Sequence, residues 1–126
     1  MSFLPSRCRR YLEEHGLIYE EAESGGQKGL ILKQFALPKD KFDSAGADIL
    51  ILLPPGYPDA PPDMFYTMPW LRLVPGNRCP RAANLPIIFK DLQWQRWSRH
   101  NNAWRPGVDG IWTMVKRIET ALKEAA

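Results

Sequence analysis

The sequence has little cysteine and little histidine: Cys8 and Cys79 are the two cysteines, and His15 and His100 the two histidines, among 126 residues. So few ligands, so far apart, make neither a disulfide framework nor a zinc site of ordinary spacing, and both cysteines read as free thiols. No apolar run approaches the roughly 18 residues that a membrane span requires. The N-terminal stretch MSFLPSRCRRYLEEHG carries basic residues but no following apolar segment or small-residue cleavage site. A secretory signal is therefore not supported, and a cytoplasmic location without membrane contact is the expectation. Gly-rich phosphate loops, HExxH-type metal motifs and internal repeats are all missing, so no cofactor and no metal is expected.

Proline and tryptophan, by contrast, are plentiful. Twelve prolines and five tryptophans concentrate between Pro54 and Pro106. With 44% hydrophobic and 25% charged residues the composition is that of an ordinary globular chain, long enough for one domain spanning residues 1–126. The net charge of +3 is unevenly spread. Residues 1–63 hold seven Lys/Arg against ten Asp/Glu, residues 64–106 seven against one, and residues 107–126 three of each. The basic middle third suits an acidic partner, nucleic acid or a negatively charged protein surface, or is plain solvated charge.

Leu4, Cys8, Tyr11, Leu12 and His15 fall at helical spacing and Gly16 stops the run, so residues 5–15 predict an amphipathic helix. Cys8 then lies on its apolar stripe, and His15 at its C-terminal end. Residues 17–23 and 30–35 predict two strands of a hairpin around the Ser24–Gly29 turn. A polar connection from Pro38 to Gly46 leads to Ala47–Leu53, the most apolar strand, expected at the centre of the sheet. Met64–Thr67 predicts a short fourth strand. Trp70–Pro106 shows no period and reads as a long irregular segment with one short strand near Ile87-Ile88-Phe89. Its tryptophans argue for order. Asp109 is the expected N-cap of a closing helix carrying Ile111, Val115, Ile118 and Leu122. The fold class is α+β: an N-terminal helix, an antiparallel meander of three to four strands, a long irregular active-site segment and a C-terminal helix, with the helices on one face of the sheet.

The most specific local pattern is Tyr57-Pro58-Asp59-Ala60-Pro61-Pro62-Asp63-Met64-Phe65-Tyr66-Thr67, a proline-locked turn between two strands. It resembles the Tyr-Pro-x-x-Pro-Pro region of the ubiquitin-conjugating-enzyme fold, which also includes RWD domains and catalytically dead conjugating-enzyme variants. Trp104-Arg105-Pro106 ahead of the last helix is similar to that family's Trp-Ser-Pro element. The likeness covers nearly the whole chain in the right order, and it is greatest to the divergent bacterial branch found with bacterial ubiquitin-like proteins. For Tyr57 itself, packing on the prolines suffices.

The resemblance implies a nucleophile that accepts the C-terminal acyl group of a ubiquitin-like protein from an activating enzyme and passes it to an acceptor, with no cofactor. Two residues compete for that role. Cys79 follows Phe65 at close to the family's upstream spacing, and Arg78 and Arg81 beside it would favour a thiolate. Ser98 better fits the family's downstream spacing to the tryptophan. His100, two residues on and on the same side of an extended chain, could serve as its general base or as an oxyanion donor. Serine-based oxyester relays occur in the bacterial systems this chain resembles. The family's His-Pro-Asn is replaced by Met68-Pro69-Trp70; Asn77, Asn101, Asn102 or His100 would have to substitute.

Three functions follow, in descending order. The first is a conjugating-enzyme-like carrier using Cys79 or Ser98 with His100. The second is a non-catalytic module of the same fold that binds a ubiquitin-like protein or its activating enzyme. The last is a nucleic-acid binder with Arg96, Arg99 and Arg105 interleaved among Trp94, Trp97 and Trp104 as stacking platforms.

Overall fold

The computed structural model describes residues 3–74, 76–100 and 103–126. Helix α1 (Ser6–Glu14) starts at Pro5, whose carbonyl accepts the Cys8 and Arg9 amides at 3.0 and 3.1 Å. It ends where His15 donates to Tyr11 O and Gly16 turns to φ 68°, a conformation glycine adopts without a steric cost. Strands β1 (Tyr19–Ser24) and β2 (Gln27–Ala36) form the expected hairpin, with Gly25 and Gly26, both at positive φ, as its two-residue loop. Then follow β3 (Gly46–Leu53), β4 (Phe65–Met68), β5 (Leu85–Phe89), β6 (Leu92–Trp97) and α2 (Ile111–Glu124).

All strands join one antiparallel sheet in the order β1-β2-β3-β4-β6-β5, which puts β3 in its interior as its apolar run requires. The sheet has six strands, not three or four. The expected short strand near Ile87 has a partner, β6, inside the stretch that reads as irregular. The Leu92–Trp97 strand escapes a periodicity test because both of its faces are covered around Trp94, Gln95 and Trp97, so polar and apolar residues do not alternate with exposure. Its loop escapes too: Lys90 and Asp91 adopt φ 53° and 60°, the conformation of an Asn-Gly turn, without glycine.

Because side chains alternate along a strand, β3 serves both faces of the sheet. Ile49, Ile51 and Leu53 join Leu12 of α1 and Ile111, Met114, Ile118 and Leu122 of α2 in the larger core. Leu50 points the other way, into a smaller core with Ile31, Tyr66, Phe89 and Trp94. The β5–β6 hairpin closes that second face by curling back over the β1–β2 end. Lys90 N donates to Ser24 Oγ at 3.1 Å, Lys90 Nζ lies 2.8 Å from Glu20, and that bond holds the Glu20 carboxyl below its usual pKa. Phe89 lies so close over β2 that a Cβ on Gly29 would come within 2.9 Å of its ring and 2.8 Å of Leu50 Cδ1.

Gly110, not Asp109, is the N-cap of α2. A Cβ at Gly110 would stand 2.6 Å from the Trp112 indole, so glycine is what lets that ring fold over the helix start. Asp109 ties the turn from one residue earlier: Oδ2 accepts from Arg105 N at 2.7 Å and Oδ1 from Thr113 Oγ1 at 2.9 Å. Among the described residues no helix is long and apolar enough to cross a membrane.

Candidate functional site

The proline segment after β3 is held from two sides. Tyr57 Oη lies 3.2 Å from the Cys8 thiol of α1, and Trp104 Nε1 donates to Pro58 O at 2.9 Å with its ring near that of Tyr57. Burial first, then the contact with Cys8, raises the Tyr57 hydroxyl far above the usual tyrosine pKa. The two family-like motifs, forty-six residues apart in the chain, are thus one structural unit. Cys8 is 1% exposed and belongs to the core.

Leu71 and Ala83, near the two ends of the segment between β4 and β5, are anchored by a group that no motif marks, the Gln95 amide. Gln95 is fully buried, and its Oε1 accepts from Thr67 Oγ1 at 2.9 Å and Leu71 N at 2.7 Å. Its Nε2 donates to Leu71 O at 3.0 Å and Ala83 O at 2.8 Å, with Cys79 Sγ at 3.8 Å. Trp97 Nε1 completes the chain by donating to Thr67 Oγ1 at 3.0 Å. Cys79 belongs to this network: half-buried, it donates its own thiol hydrogen to Ala83 O at 2.9 Å. Arg78 and Arg81 are exposed, and neither bonds to the thiol.

Ser98 follows directly on β6, and its amide donates to Ala82 O at 2.9 Å, so the Cys79 and Ser98 segments meet backbone to backbone. The open cleft beside Ser98 does not include Cys79 in its lining. Ser98, Arg99 and His100 form one wall of this space of about 630 Å³, and Lys116, Arg117 and Glu124 of α2 line the other. Among the described residues no hydrogen bond joins Ser98 to His100. The imidazole is instead oriented by Asp63, the last residue of the proline segment, whose carboxylate oxygens lie 3.1 and 3.2 Å from His100 Nδ1. An ionised carboxylate only accepts, so this contact needs the proton on Nδ1, which in the neutral imidazole makes Nε2 the accepting nitrogen. The Arg117 guanidinium donates to His100 O and fixes the backbone there. Asn77 is exposed on the 70–84 segment; Asn101 and Asn102 lie outside the described residues.

Over residues 4–125 the sequence matches the family described as prokaryotic E2 family E. The protein belongs to that family. E2 denotes the conjugating step of ubiquitin-like systems, so the family implies a ubiquitin-like protein and its activating enzyme as the general class of partners. No curated protein and no solved structure matches the chain. The three indoles expected as stacking platforms are unsuited to that role: Trp94 and Trp97 are 1% and 0% exposed, and Trp104 is spent on the proline segment. Asp63, Gln95 and Arg117 were not legible as site residues, because each acts on a partner far away in the chain. Asp63 alone left a trace, as part of the proline motif.

Proposed function

We propose that the protein is a conjugating-enzyme-like carrier whose acyl-accepting group is Ser98. The observation that carries this reading is that Ser98 and an Asp63-oriented His100 line one open cleft, whereas the competing Cys79 thiol is committed to Ala83 O. In the proposed step Ser98 Oγ attacks the carbonyl of the ubiquitin-like protein's thioester on the activating enzyme. His100 Nε2 takes the hydroxyl proton, the oxyester to Ser98 forms as the C–S bond breaks, and the imidazolium hands that proton to the departing thiolate of the activating enzyme. Attack by an acceptor amine then forms the amide and returns the serine hydroxyl. Each transfer moves the acyl group to a less reactive linkage, so the sequence runs downhill without a cofactor.

The missing Ser98–His100 hydrogen bond and the Met68-Pro69-Trp70 sequence in place of His-Pro-Asn favour a second reading, a binding module of the same fold. Intact mass spectrometry after incubation with the ubiquitin-like protein, its activating enzyme and ATP separates the possibilities. A reductant-resistant, hydroxylamine-labile adduct that disappears in Ser98→Ala and persists in Cys79→Ala is expected. A reductant-cleaved adduct lost in Cys79→Ala would move the acyl group to the cysteine. No adduct, with the activating enzyme charged, leaves the binding module.

A further inference from the structure

The cleft beside Ser98 is strongly and unequally charged. Arg99, Lys116 and Arg117 face it with His100, against the single carboxylate of Glu124. Among the described residues none of the three permanent cations has an ion-pair partner; the pair that reaches the cleft is His100 with Asp63, and the others, at Lys33, Lys90 and Arg105, lie elsewhere. Arg99 shows what this costs. Its guanidinium lies over the Trp97 ring at 5.3 Å and donates to two carbonyls, Ser98 O and Arg81 O, each at 3.2 Å. Burial first, and the like charge of Arg81 second, lower its pKa below the usual arginine value. Two carbonyl oxygens take hydrogens of Arg99 but do not balance its charge, so an entering carboxylate would find this one cation already partly desolvated and held in place, with the exposed Lys116 across the cleft.

Phe65 and Met114 give the cleft an apolar floor, which suits an extended peptide lying between the charged walls. Nucleic acid is the weaker candidate, since the nearest indole, Trp97, is buried and its face is taken by Arg99.

We infer that this cleft binds an acidic peptide segment, the acid-bearing C-terminal tail of the acyl donor, and so selects a ubiquitin-like protein with Asp or Glu near its reactive end. The inference rests on the carrier reading for the identity of the peptide, but not for the binding itself. Charge complementarity of this kind raises the encounter rate and rejects basic tails, and it fades with salt.

The test is fluorescence anisotropy at low salt with a labelled octapeptide carrying three glutamates, and with its glutamine and lysine counterparts. The acidic peptide should bind at least about tenfold tighter than the neutral one. Lys116→Gln and Arg99→Gln should each weaken it by about threefold, and Glu124→Gln should tighten it, a gain that misfolding cannot imitate. Equal binding of the neutral peptide, no binding of any peptide, or displacement by single-stranded DNA at lower concentration than by unlabelled acidic peptide each overturns the inference. An adduct on Ser98 without acidic preference sinks the cleft inference and spares the carrier. Acidic preference without an adduct sinks the carrier and leaves the cleft as a docking site.

Discussion

The two ends of the sheet are held together by different physics. At the β2–β3 end, Leu12, Ile49, Ile51 and Ile118, each no more than 0% exposed, meet helix to sheet through apolar contact alone. At the β4–β6 end the centre is a buried amide, and Gln95 holds Leu71 and Ala83 with hydrogen bonds that a strand partner would otherwise give, while Arg72 and Val74 pair with residues 41–43. Apolar packing is non-directional and tolerates adjustment, whereas a buried polar hub is stable only when every member is satisfied. The candidate site sits at the second end, where direction matters.

Gln95→Met tests this contrast most severely. It keeps the volume but strands Leu71 N, Leu71 O and Ala83 O, so a loss of about 4 kcal/mol in chemical denaturation is expected. Ile118→Ala, in the apolar half, should cost about 3 kcal/mol as a cavity. If the methionine variant proved the milder of the two, the hub would not be what holds the loop. Gly29→Ala should cost about 2 kcal/mol by overpacking against Phe89 and Leu50. Phe89→Leu in the same chain should recover part of that loss, a coupling that would be absent if the hairpin did not close over β2.

The smallest effect concerns Asp109, whose carboxyl is held below the usual aspartate range first by the Arg105 amide and then by Thr113. A carboxyl lowered in the folded state contributes stability that is fully present above its unfolded pKa and is lost as pH falls through the folded one. Asp109→Asn should therefore lower stability slightly near neutrality, where the charged form contributes in full, and flatten the acid limb from roughly pH 4 downward so that the two curves converge at low pH. An acid limb identical to that of the unaltered protein would show that Arg105 and Thr113 do not favour the charged form.

Legibility followed the same divide. Apolar spacing at Leu4, Cys8 and Leu12, at Ala47–Leu53 and at Ile111–Leu122 predicts α1, β3 and α2 to within a residue or two, because burial of one face imposes a period on the chain. No such period marks β6, whose Gln95 is polar yet fully buried, or the Lys90-Asp91 turn, which lacks glycine. The sequence by itself determined the helices, the first hairpin, the central strand and, through Tyr57-Pro58 and Trp104-Arg105-Pro106, the family. Only the tertiary structure decided that Asp63 orients His100, that Cys79 is tied into the loop while Ser98 lines a cleft, and that α2 brings Lys116 and Arg117 opposite them. Local patterns record which residues are buried. They do not record which distant residue completes a hydrogen bond or an electrostatic field, because that choice is made by the packing of the whole chain.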